Sequence, residues 1–256
     1  MGNDKKKQEK LAKKAAAPIP EPFASPSSKP TKRDRRLASA IRVHNDAVSG
    51  GQEAVAKAEA VWGQLRLRFP DDAAAKAYYG SVLTLKARDA ETPADKLTIA
   101  RKGLGLLDEA VAAEPGNRTF RLIRGRICYR LPEPFFQRAE TAVEDYALLI
   151  DEEIRRPGSL EKKEFATLVY ELGEAYYRTE RLPEAQVCLK KLETLTTDSK
   201  LLTLARTRQR VIAFKLDRAR NGPSDSSQAT PFELRDWVSV VLGAVGAAAL
   251  SFAHRQ

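Results

Sequence analysis

The sequence predicts an all-α protein built of antiparallel helix hairpins, and three observations predict it. Ala, Leu, Glu, Lys and Arg, all good helix formers, dominate the middle of the chain. Apolar residues recur there with a helical period, and no run alternates β-branched side chains as a strand would. Breaks bearing Gly or Pro leave only short loops between helices, so neighbours in sequence become antiparallel neighbours in space.

The breaks fall at Ser49-Gly50-Gly51, Pro70-Asp71, Glu91-Thr92-Pro93, Pro115-Gly116-Asn117, Pro132-Glu133-Pro134, Pro157-Gly158-Ser159 and Leu182-Pro183. Asp71, Thr92, Asn117 and Ser159 are expected as N-caps, because their side-chain oxygens can accept the unpaired N–H groups of a first turn. Pro93 and Pro183 suit first turns, where no N–H is needed. About nine helices of 12–22 residues follow between Arg36 and Arg220.

Charge separates the N-terminal segment from this body. The chain carries a net +10, of which residues 1–36 hold +7. Lys5-Lys6-Lys7 and Lys13-Lys14 repel one another, and Pro18, Pro20, Pro22, Pro26 and Pro30 remove backbone donors. Residues 1–35 are therefore expected as a disordered basic tail. Residues 5–36 could attract anionic lipid or nucleic acid, or simply keep the chain soluble. The lysine-rich start and its broken apolar stretch do not form a secretory signal, and Lys6 stands where a myristoylation motif needs Ser or Thr. The body is expected to face the cytoplasm.

At the other end, residues 221–231 read as a polar linker and 232–256 as a hydrophobic helix. Trp237–Ala253 is seventeen residues without a charge, flanked by Arg235 and Arg255. As a helix it would be about 25 Å long, a little short of a ~30 Å hydrocarbon core. Trp237 and Phe252 lie near its ends, where interfacial aromatics belong, and Gly243 and Ala247 make a small face able to pair helices. With three residues following it, the segment has the arrangement of a tail anchor; docking on protein, or oligomerisation, is the other reading.

Within 36–220 one segment carries a repeat signature. Val169-x2-Leu172-Gly173-x2-Tyr176 is followed, twelve residues after the glycine, by Ala185-x3-Leu189. Gly173 and Ala185 are expected to lie opposite each other and let two helices approach closely. Looser copies surround it. One has Gly80 and Leu83, then Gly103, Leu107, Ala110 and Pro115, with eleven extra residues assigned to a loop around Arg88–Asp95. Another has Gly125 and Cys128, then Ala139, Val143 and Tyr146, with a two-residue excess at Leu131–Pro134. In the earliest copy Ala58, Trp62, Leu65 and Pro70 form the second helix, and Lys200–Arg220 would cap the far end.

These residues resemble the tetratricopeptide repeat family in degenerate form. The resemblance implies a solenoid of helix hairpins that binds another protein or peptide, with no cofactor, metal or catalysis. It also implies that first helices line a groove, showing Leu122, Arg126, Tyr129 and Arg130 on one copy and Tyr170, Glu174, Tyr177 and Arg178 on the next. Tyr and Arg are common at interface hot spots. The Lys/Asn clamp with which some family members hold a chaperone tail is missing, those places holding Ala77 and Ser81, Leu122 and Arg126, Tyr170 and Glu174.

No phosphate loop, dinucleotide fingerprint, zinc motif or nucleophile elbow occurs. Cys128 and Cys188 are too few for a disulfide framework. The expected function is a non-enzymatic scaffold tethered to a membrane; a soluble nucleic-acid- or ribosome-associated factor using the basic tail is the alternative.

Overall fold

The computed structural model describes residues 32–221. Among them every regular element is an α-helix. The helices are α1 (Lys32–Ser49), α2 (Gln52–Arg68), α3 (Ala73–Asp89), α4 (Pro93–Ala113), α5 (Arg118–Arg130), α6 (Glu133–Phe136), α7 (Ala139–Arg155), α8 (Lys162–Arg178), α9 (Leu182–Leu195) and α10 (Ser199–Asn221). Nine are long, as the breaks predict, and α6 is a single turn inside the proline-rich break. Helix α1 begins at Lys32, within the stretch expected to be disordered. Residues 1–31, the linker from 222, and the segment bearing Trp237, Gly243, Ala247 and Phe252 lie outside the described residues.

Local chemistry explains the boundaries. Asn117 accepts the N–H groups of Thr119 and Phe120 at 3.1 and 3.3 Å and starts α5. Thr92 accepts the N–H of Asp95 at 3.1 Å ahead of Pro93. Two expected caps are corrected. Asp72, not Asp71, accepts the N–H of Ala75 at 2.9 Å and starts α3. Ser159 does not cap α8, because Glu153 near the end of α7 takes its hydroxyl and N–H together with the N–H groups of Gly158 and Leu160. A carboxylate accepts these donors more strongly than a hydroxyl would.

By compactness the described residues divide into two units, 32–110 and 111–221, with the division inside α4. In the first, α1 packs on α2, α2 on α3 and α1 on α3. Trp62 fills the centre: it is fully buried, stacks on Tyr78 at 4.7 Å, and donates from Nε1 to the Ala40 carbonyl at 3.1 Å. In the second, α5 packs on α7, α7 on α8, α8 on α9 and α9 on α10, with α8 also touching α10.

A single contact recurs in three hairpins. A Cβ on Gly173 would lie 3.0 Å from Leu189 and 3.2 Å from Cys188; on Gly125, 2.9 Å from the Tyr146 ring and 3.2 Å from Asp145; on Gly80, 3.1 Å from Leu107 and 3.2 Å from Leu106. Each glycine seats the large residue four positions past the small one of the second helix. Ala185 and Ala139, on the helices that face Gly173 and Gly125, are both fully buried. A helical side chain leans toward its own N-terminus, so Leu189 covers the level of Ala185.

This geometry also relocates the insertions. The residue equivalent to Ala185 is Ala142, so the third copy carries five extra residues, all in the α5–α7 connection that holds α6. The eleven extra residues of the second copy are not a loop, because only residues 90–92 separate α3 from α4. They lengthen both arms: Asp89 is nine residues past Gly80 where Arg178 is five past Gly173, and Gly103 is ten past Pro93 where Ala185 is three past Leu182.

Candidate partner-binding face

The expected groove residues lie on α5 and α8, and the second unit joins them. Arg126 on α5 donates to Glu164 on α8 at 2.7 Å. The Arg178 guanidinium sits 4.6 Å over the Tyr129 ring and donates to the Tyr129 carbonyl oxygen. Helix α10 extends the lattice. Arg208 grips Glu174 with two bonds, 2.7 and 2.8 Å, while lying 4.1 Å over the Tyr177 ring. Lys215 sits 4.7 Å over the same ring and 3.1 Å from Glu180. Three helices are thus tied edge to edge by cations on aromatic faces.

Tyr129, Tyr170 and Tyr177 are half-buried and Arg130 and Arg178 exposed. Burial pushes the Tyr170 phenol up to about 12, with the Glu174 charge adding to it, and raises Tyr129 as well. Both stay protonated hydrogen-bond donors at neutral pH. Glu174 differs from expectation: it is 5% exposed and its carboxylate is engaged by Arg208, so it orients that guanidinium rather than presenting itself. Sequence reasoning treated α10 only as a terminal cap and missed Arg208 and Lys215. Their spacing of seven, two helical turns on one side, was the available signal.

Beneath this face lies an ionic layer that sequence reasoning also missed. Asp145 on α7 is fully buried. It accepts from Arg124 at Nε and a terminal nitrogen, both 2.8 Å, and from Arg121 at 2.9 Å. Arg121 also donates to the Pro115 carbonyl at 2.6 Å. Tyr146 beside Asp145 donates to Glu171 on α8 at 2.7 Å. Relative to the hairpin glycine, Arg121 and Arg124 occupy the places of Val169 and Leu172 in the next copy. An ion cluster replaces an apolar contact there, which is why the repeat is faint in the sequence.

The histidine and the two thiols of the described residues have shifted pKa values. His44 is buried with Nε2 2.8 Å from Ser81 Oγ, and burial lowers its pKa to about 4. Burial pushes the thiols of Cys128 and Cys188 up to about 11. Among the described residues no group of His, Cys, Asp and Glu is placed to hold a metal ion, and no helix is long and apolar enough to cross a membrane. Comparison with protein-family models, curated proteins and solved structures finds no match to the chain.

Proposed function

We propose that the chain is a tetratricopeptide-like scaffold whose hairpins stack as a solenoid and bind another protein or peptide on the face formed by α5, α8 and α10. The observation that carries this reading is the row of Tyr129, Tyr170 and Tyr177 with Arg126, Arg178 and Arg208 across three helices. Rigid aromatic rings with fixed guanidinium groups offer contact area and donors at small entropic cost. The recurring glycine seat supports the repeat reading. The buried, neutral His44 and the protonated thiols favour a binder over an enzyme.

The scaffold is held at a membrane by residues 237–253 with its helical body facing the cytoplasm. Affinity capture from cell extract with wild-type chain, and with Tyr129, Tyr170 and Tyr177 replaced by Ala, tests the face. A specific protein should be recovered by the wild type and lost by the variant while helicity is unchanged; equal recovery contradicts the reading. Alkaline extraction of membranes, with full-length chain beside one ending before Phe232, tests the tether: the full chain should resist extraction and the shorter one should not.

A further inference from the structure

We propose that the outer face of α10 is a membrane-surface contact that recognises anionic lipid, an inference that rests on the tethering reading. Leu204, Val211 and Phe214 are 54%, 38% and 67% exposed. Their spacing of seven and then three places them along one side of the helix. Lys200, Arg210 and Arg218 are exposed on the same outer half. Helix α10 holds seven Lys and Arg against one acidic residue, Asp217. Three of those cations pair with acids outside α10: Arg206 with Glu193 on α9, Arg208 with Glu174 on α8 and Lys215 with Glu180 in the α8–α9 turn. The outer edge therefore keeps both its positive charge and its apolar stripe, the two features of an interfacial helix.

Continuity of the chain supports this occupant. Residues 222–236 join α10 to Trp237, fifteen residues whose reach is at most about 50 Å. A bilayer holding 237–253 would keep α10 at its surface, where lipid phosphates meet the cations and acyl chains meet the stripe. The uncharged 237–253 segment could cover the stripe but offers nothing to Lys200, Arg210 or Arg218.

The test places an environment-sensitive dye on full-length chain at Phe214→Cys, with Cys188→Ser removing the half-buried thiol, and follows it by flotation and emission. With phosphatidylserine-containing vesicles the dye should shift to the blue, and K200E/R210E/R218E should weaken that response at least about tenfold. With phosphatidylcholine alone the shift should be small. Flotation with the dye still in water overturns this inference and leaves the tether standing. Failure to float overturns both. A dye already shielded without vesicles means that the chain itself covers the stripe, and a shift caused only by an acidic amphipathic peptide means that the occupant is a protein; either overturns the inference.

Discussion

Gly80 and Gly103 lie backbone to backbone: a Cβ on either would sit 2.6 Å from the carbonyl oxygen of the other. Neither carbonyl can move without breaking a helix, so the contact excludes any side chain. Gly80→Ala should destabilise the protein by about 1–3 kcal/mol through overpacking. Gly105, on the same helix as Gly103 with nothing within 4 Å of its Cβ position, is the control. Gly105→Ala should stabilise by up to ~1 kcal/mol through helix propensity. Thermal and urea unfolding of the two variants read the difference.

Asp145 is the buried acid shared by Arg121 and Arg124, and Glu144, which also pairs with both, is largely exposed, so removing Asp145 withdraws the buried countercharge. Asp145→Ala should cost about 3–5 kcal/mol. Replacing the cluster together, with Arg121→Val, Arg124→Leu and Asp145→Cys as in the α8–α9 hairpin, should be far milder and could raise stability. Urea unfolding of the single and triple variants tests this, and equal losses would contradict the assignment.

His44 makes stability depend on pH. Its folded pKa of about 4 lies below the ordinary value of 6.5, so the unfolded chain binds the proton more readily. Its contribution is complete above pH 6.5 and is lost as pH falls toward 4, on the order of 3 kcal/mol. In His44→Gln the part of the pH slope between 6.5 and 4 due to this group should vanish. Unfolding free energies measured across that range check it.

Arg208 and Lys215 touch the same ring with different weight. Arg208→Ala leaves the buried Glu174 carboxylate unpaired and should cost about 2 kcal/mol. Lys215→Ala removes a more exposed contact and should cost less than ~0.5 kcal/mol. Glu174→Gln combined with Arg208→Ala should recover part of the first loss, read as coupling in a double-mutant cycle.

The helices were legible because their punctuation is local: Asn117 and Thr92 cap where side-chain chemistry alone requires. Tertiary partners were not. Glu153 took Ser159 from its expected cap, which no local rule reveals. The large residues that cover the glycines, Leu189, Tyr146 and Leu107, follow from the lean of helical side chains, which sequence spacing alone does not show. Arg121 and Arg124 carried no signal, since nothing in sequence announces that Asp145 lies on the next long helix. The repeat register named Tyr129 and Arg178, which touch each other, whereas Arg208 enters from a helix outside that register.

Amide hydrogen exchange of the chain with its captured partner, beside the chain alone, tests the proposed binding face most directly. Added protection should appear on residues 118–130, 162–178 and 199–221, strongest around Tyr129, Tyr177 and Arg208. Protection confined to α7 and α9, or to the basic residues before Lys32, would contradict it.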